Sequence, residues 1–270
     1  MKDGKGYIKK YTENYHDLIL KFEGEYLNGE KNGKVKEYYD NGDLKFEGEY
    51  IRGKRNGKGK EYYKYGKLKF EGEYLNGKKL HGKGYDDRGK ITYELFKGNG
   101  KVKEYNEKEY LLFEGEYLNG ERNGKGKEYD YNGKLIFEGE YLNGERNGKG
   151  KEYYKYGTFK YEGEYINGKK NGKGKEYYSS NLKFEGEYLN NQRLRGKYYV
   201  KGKLEYEGEF LFNRKWNGNG YDDEKKIIYQ LINGNGKVRE YNDENEYLEF
   251  EGEYLNGKRN GIGKEYNYSG

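Results

Sequence analysis

Leu44-Lys45-Phe46-Glu47-Gly48-Glu49-Tyr50-Ile51-Arg52-Gly53-Lys54-Arg55-Asn56-Gly57-Lys58-Gly59-Lys60-Glu61-Tyr62-Tyr63 decides the architecture of this chain. Across 44–50, apolar residues or glycine alternate with charged residues, which is the period of a strand and not of a helix. The core of the stretch is Phe/Tyr-Glu-Gly-Glu-Tyr/Phe. Nine copies begin at Phe22, Phe46, Phe70, Phe113, Phe137, Tyr161, Phe184, Tyr206 and Phe250, most of them 22 to 24 residues apart. The two longer gaps hold degenerate copies, Tyr93-Glu94-Leu95-Phe96 and Tyr229-Gln230-Leu231-Ile232, which makes eleven units. A fixed period of this length means a stack of one supersecondary unit, not a globule around a central pocket.

Most copies carry Asn-Gly where this one has Arg52-Gly53, and Asn-Gly favours the tight hairpin turn. A second turn, Asp40-Asn41-Gly42-Asp43, joins this hairpin to the one before it. The expected fold is therefore all-β: an elongated single-layer antiparallel meander of about eleven hairpins, a solenoid-like rod. With about 22 strands at roughly 4.8 Å each, its length would be on the order of 105 Å. Centring the turns on Asn41-Gly42 and Asn28-Gly29 pairs Lys34 with Glu49, Lys36 with Glu47, and Lys34 with Glu23 on its other side. One face then carries a ladder of lysines between glutamates, read as a device for register and solubility because exposed pairs contribute little. The other face carries the rings and is the only plausible core. In this register Phe46 lies opposite Gly59 and Gly48 opposite Gly57, so each ring covers a Cα without a side chain. Glu37, Glu61, Glu128, Glu152 and Glu176 fall on the aromatic face by strict alternation. Either a bulge resets the register there, or these carboxylates bond tyrosine hydroxyls or side chains such as Arg55.

Composition narrows the function. The chain of 270 residues is only 31% hydrophobic and 38% charged, a profile that would read as disordered without its 37 tyrosines and 11 phenylalanines in fixed positions. It has no cysteine, which excludes a disulfide framework and favours a reducing compartment. No apolar run is long enough for a membrane-spanning helix, and Met1-Lys2-Asp3-Gly4 does not open a secretory signal. A cytoplasmic protein is expected, with cytoskeletal or membrane association left open. The net charge of +6 comes from 54 basic residues interleaved with 48 acidic ones, which disfavours the continuous basic stripe that nucleic acid requires.

The repeated residues resemble the MORN (membrane occupation and recognition nexus) repeat, approximately Y-x-G-x-W-x-N-G-x-x-x-G-x-G. The match is plain in Tyr161-Glu162-Gly163-Glu164-Tyr165-Ile166-Asn167-Gly168 followed by Gly172-Lys173-Gly174, and it runs from about Gly4 to Gly270. Two departures stand out. The usual Trp is Tyr26, Tyr50, Tyr74, Tyr117, Tyr141, Tyr165, Tyr188 and Tyr254, or Phe210. The frequent His before G-x-G is Asn in most copies, as at Asn56 and Asn147, with His81 the exception. The resemblance implies single-layer hairpin sheets with a groove along one face, in scaffolds, dimerising rods, binders of helical peptides and membrane-associated adaptors. The array reads as one continuous domain over 1–270, with standard units near 22–92, 113–228 and 250–270 and variant units near 4–21, 93–112 and 229–249. Within the variants, Gly84-Tyr85-Asp86-Asp87 to Gly100–Tyr105 reappears as Gly220-Tyr221-Asp222-Asp223 to Gly236–Tyr241. The chain opens and closes on return strands without a cap, which suggests a fragment of a longer protein or ends that pair with other copies.

Catalytic material is scarce: two histidines, His16 and His81, and three serines, Ser179, Ser180 and Ser269. No nucleophile–base pair is suggested, so no enzyme, catalytic residue, cofactor or metal is expected. Asp86-Asp87 and Asp222-Asp223 read as turn residues, and 97–100 as a short hairpin loop, not a phosphate cradle, since no helix follows. The expected binding surface is a ring-lined strip on the aromatic face: Tyr26, Tyr50, Tyr74, Tyr117, Tyr141, Tyr165, Tyr188, Phe210 and Tyr254, with Trp216 either an anchor or a filler of a bend. Gly24, Gly48, Gly72, Gly115, Gly139, Gly163, Gly186, Gly208 and Gly252 are its structural glycines. Expected partners are a helical or extended protein segment, other copies of the chain through its ends, and, as the alternative, a lipid or glycan surface. Because each unit touches mainly its neighbours, deleting 137–160 should leave a shorter folded array. Circular dichroism and a single cooperative melt check this; a chain that no longer folds would contradict it.

Overall fold

In the computed structural model, residues 4–14, 17–242 and 247–267 are described, and His16 and Ser269 lie outside them. There is no α-helix among the described residues; 3-10 turns such as Lys64–Gly66 interrupt 23 strands. The chain divides into two compact units, Met1–Lys134 with Tyr141–Gly144, and Leu135–Glu140 with Glu145–Gly270. In the first, β1 (Lys5–Asn14), β2 (Asp17–Leu27), β3 (Glu30–Tyr38), β4 (Leu44–Ile51), β5 (Lys54–Tyr62), β6 (Leu68–Leu75), β7 (Lys78–Tyr85) and β8 (Ile91–Leu95) pair in sequence order. The ladder then breaks, and β9 (Gly100–Tyr105), β10 (Leu111–Leu118) and β11 (Glu121–Tyr129) pair in a second sheet. The second unit repeats the scheme. With β12 (Leu135–Leu142), the strands from β13 (Glu145–Tyr153) to β20 (Ile227–Leu231) pair consecutively as the continuation of the second sheet, twelve strands in all, and a break precedes β21 (Gly236–Tyr241), β22 (Leu248–Leu255) and β23 (Lys258–Glu265). Both breaks fall at the same place in the variant unit, where only the bridges Phe96↔Asn99 and Ile232↔Asn235 remain. The 97–100 segment is the tight hairpin turn its sequence predicts, with Lys97 and Gly98 at φ +51° and +74°.

The predicted pairs Lys34↔Glu49 and Lys36↔Glu47 are present, but the register on the other side of β3 differs. Glu23 faces Lys36, not Lys34. Likewise Gly48 faces Gly59, and Phe46 faces Glu61. The cause is a bulge next to each Asn-Gly turn. Tyr50 pairs with Arg55 and Gly48 with Gly59, so β5 spends two extra residues there, and Gly57 takes φ +81° to make the loop. A second irregularity follows on the other side, where Glu61↔Phe70 gives way to Tyr62↔Leu68. The question left open for Glu61 thus resolves both ways: bulges flank it, and its carboxylate is bonded.

Consecutive hairpins are tied along the turns. The Gly53 N–H donates to the Lys31 carbonyl at 2.9 Å, Gly77 to Arg55 at 2.8 Å and Gly168 to Arg146 at 2.9 Å. Asparagine side chains reinforce this tie: Asn147 Oδ1 of an Arg-Asn-Gly bulge accepts the Asn167 N–H at 3.4 Å, and in the variant units Asn99 Oδ1 accepts the Asn119 N–H and Asn235 Oδ1 that of Asn256, both at 2.9 Å. At all nine structural glycines an added Cβ would come closer than 3.0 Å to backbone of the adjoining strand.

Candidate protein-binding groove

The aromatic face is interior. Phe46 and Phe70 are fully buried, and so are most of the rings expected to line an open strip: Tyr50, Tyr74, Tyr141, Tyr165, Tyr188 and Phe210. Tyr26, Tyr117 and Tyr254 are half-buried. Tyr74, Tyr165, Tyr188 and Phe210 each pack edge-on against the phenylalanine or tyrosine of their own strand and of the previous hairpin, as Tyr74 does against Phe70 (5.5 Å) and Phe46 (5.6 Å). Tyr26 instead stacks on Phe22, and Tyr117 and Tyr254 tilt against Phe113 and Phe250. Trp216 sits over the Gly234 turn and its carbonyl accepts the Gly234 N–H at 2.8 Å, so it fills the bend at the second break. Leu80 holds the equivalent place in the first unit, where its carbonyl accepts from Gly98. The strip of accessible rings is thus corrected: Tyr50, Tyr74, Tyr141, Tyr165, Tyr188 and Phe210 belong to the core, and Tyr26, Tyr117 and Tyr254 are half-buried at its edge.

A basic residue in each unit completes that core. The Arg55 guanidinium lies 3.9 Å above the Phe46 ring, donates to the Tyr50 hydroxyl (3.2 Å) and to Glu37 (3.1 Å), and pairs with Glu61. Arg122 over Phe113, Arg146 over Phe137 and Lys170 over Tyr161 repeat the motif. The signal was present in the sequence, since position 55 and its equivalents are always Lys or Arg. Its meaning was hidden because strict alternation gives no reason for a cation on an aromatic face. Burial by itself would raise the Glu61 pKa, but Lys79 and Arg55 outweigh it and hold the carboxyl at about 2, below the usual 4.5. A depressed carboxyl contributes stability that is complete above its unfolded pKa and is lost as pH falls toward the folded one. The urea midpoint should therefore drop between pH 4.5 and 2. Glu61→Gln should flatten that drop; an unchanged slope would refute the assignment.

A concavity lies on the opposite, charged face of the first unit, and a smaller one of ≈ 640 Å³ in the second unit is lined by residues such as Phe210, Lys215 and Tyr254. A groove of ≈ 1060 Å³ runs from Tyr7 to His81, with the backbones of Val35, Gly48, Gly59 and Gly72 as its floor. Six glutamates and four lysines line it. In the outer row, tyrosine hydroxyls hold the carboxylates: Tyr38 donates to Glu23 (2.8 Å), Tyr62 to Glu47 (2.7 Å) and Tyr85 to Glu71 (2.6 Å). In the inner row, Lys34, Glu49, Lys58 and Glu73 are exposed and form no ion pair among the described residues. At the far end, His81 accepts the Lys97 N–H at Nδ1 (3.3 Å) and meets the Phe96 ring edge-on at 5.1 Å. Asp86 and Asp222 close their turns as expected, each accepting two backbone N–H bonds within 3.0 Å.

The MORN repeat family model matches residues 22–44, 46–66, 113–134, 137–158, 161–183 and 250–270. The chain is a MORN repeat protein. No curated protein matches it. The MORN units that the model passes over keep the same packing: Phe184 and Tyr206 are as deeply buried as Phe46, and each meets an aromatic partner four residues on.

Proposed function

We propose that this MORN array is a non-enzymatic scaffold that holds a segment of a partner protein in the groove of its first unit. The observation that supports this most is the inner row, where charges face each other across neighbouring strands without bridging, over a floor of bare backbone. Such groups are free to bond an incoming chain, whereas the buried rings of the other face are already spent on the core. Lys34→Glu with Lys58→Glu changes only exposed side chains and should leave the melt within about 0.5 kcal/mol of wild type. The same pair should cut recovery of a partner cross-linked to 23–81 at least tenfold. Undiminished cross-linking by the double variant would remove the groove from consideration.

A lipid surface is the second reading, favoured by a separate feature. Ile51, Leu75, Leu118 and Leu142 in the first unit, and Ile166, Leu189 and Leu211 in the second, are 40–52% exposed, one per hairpin next to the turns. Lys54, Lys78, Lys169 and Arg214 follow four of these seven turns, and Glu121, Glu145 and Gln192 follow the other three. Aliphatic residues beside basic ones suit an anionic membrane interface. Flotation with vesicles containing phosphatidylserine, compared with neutral vesicles, separates the two readings.

A further inference from the structure

We propose that the cavity of the second unit binds a small aromatic carboxylate, its carboxylate on Arg193 and its ring over Val200. The site is separate from the charged groove and does not rest on the scaffold reading. It lies between β17 (Gln192–Val200), β18 (Lys203–Leu211) and β19 (Arg214–Tyr221) on one side and β21 to β23 on the other. Its volume of ≈ 640 Å³ is that of a small-molecule site. The same place in the first unit shows what is missing. Register equates Tyr198 with Glu61, both opposite the core ring of the next strand, and Glu205 with Lys69, each just before that ring. Val200 likewise takes the place of Tyr63. In the first unit Tyr63 is buried with the Lys69 ammonium over its ring (5.1 Å), Lys69 donates to the Tyr105 carbonyl (2.9 Å), and Glu61 pairs with Arg55 and Lys79. The second unit has thus lost a ring at 200 and a carboxylate at 198. Tyr39, buried in the first unit, has as its counterpart the exposed Tyr178 on the cavity wall.

The guanidinium groups record the consequence. Arg55 spends all three nitrogens, Nε on the Tyr50 hydroxyl, Nη1 on Glu61 and Nη2 on Glu37. Arg122 and Arg259 are each spent on two carboxylates in the same way. Arg193 donates Nε–H and Nη2–H to Glu176 (3.1 and 2.6 Å), and its Nη1 has no acceptor among the described residues. That side chain is only 14% exposed and lines the cavity. A largely buried N–H group without an acceptor is a cost that an incoming carboxylate removes. Five cationic side chains and three carboxylates line the cavity, which favours an anion but opposes a doubly charged one. The three carboxylates already have donors: Lys215 (2.5 Å) and Tyr229 for Glu205, Tyr254 and Arg259 for Glu240, and Asn242 for Glu249. Tyr198, Phe210 and Tyr254 in the wall offer ring contacts to an aromatic guest.

Calorimetry on the whole chain tests this with 3-phenylpropionate, expected to bind once per chain with a Kd on the order of 100 μM. Hexanoate, 3-phenylpropionamide and phenyl phosphate, which lack the ring, lack the charge or double it, should each bind at least tenfold more weakly. Val200→Tyr refills the cavity with the ring that position 63 carries, and should abolish binding without lowering the melt. Arg193→Lys keeps a cation but not the fork, and should weaken the acid at least tenfold. Lys34→Glu with Lys58→Glu, in the other unit, should bind the acid as wild type does. A short peptide ending in phenylalanine carries the same two groups: if it binds as tightly as the acid the guest is a chain end, and if it is excluded the guest is a free acid. No binding of the acid at millimolar concentration, equal affinity for the amide, or preference for phenyl phosphate overturns the proposal. So does a Val200→Tyr variant that still binds, or one that melts early, since the cavity then has no room for a ring.

Discussion

Arg55→Ala is expected to cost about 2–4 kcal/mol in urea denaturation, more than any exposed change in the same hairpin. The guanidinium covers Phe46 and joins Glu37 and Glu61 from two different hairpins, so its loss strips one partner from two carboxylates at once. Lys31 and Lys79 still pair with those carboxylates, and Arg55 is partly exposed, which keeps the cost below that of isolating a fully buried charge. Arg55→Lys should cost no more than about 1 kcal/mol, because Lys79 and Lys170 hold the same place over Phe70 and Tyr161. The penalty for alanine should also shrink as pH falls from 4.5 toward 2, since protonated Glu61 no longer needs the cation. A loss under 1 kcal/mol for Arg55→Ala, or one equally large for Arg55→Lys, would show that the cation is not part of the core.

Gly139→Val is expected to be at least as damaging, above about 3 kcal/mol, although the glycine is half-exposed. An added Cβ would lie 2.6 Å from the Lys149 carbonyl oxygen, 2.7 Å from the Gly150 Cα and 2.8 Å from Phe137 Cζ. Two of those atoms belong to the backbone of the paired strand and cannot give way without opening the ladder. Gly168→Ala is the control. That residue takes φ +74° in a turn with open space around it, so only backbone strain of about 1 kcal/mol is at stake. If the two variants melt alike, glycine at 139 is there for its backbone freedom and not for the ring and strand pressed against it.

The strands, the turns and most strand partners of this protein were legible in one unit. Alternation across Phe46 to Tyr50 assigns each side chain to a face, and Asn41-Gly42 sets where the chain reverses between β3 and β4, so the pairing of Lys34 with Glu49 follows from local geometry alone. The glycines and the turn aspartates were legible for the same reason, since backbone approach and turn bonding act over a few residues. The partners across each bulge were not. Asn56-Gly57 has the composition of a second turn as much as of a bulge, and only pairing on both sides of β5 shows that two residues are looped out, moving Phe46 from Gly59 to Glu61. The fate of the tyrosines was not legible either. A ring two residues beyond the core glycine looks accessible in an isolated hairpin, but Tyr74 is buried because Phe46 of the preceding hairpin and Arg55 lie against it. Sequence alone determined the repeat, the strand period and the two chemically distinct faces. The aromatic face was legible as the core as well; only the tertiary structure decided that its tyrosines are closed off instead of forming an open strip, because neighbouring hairpins supply the atoms that cover each ring.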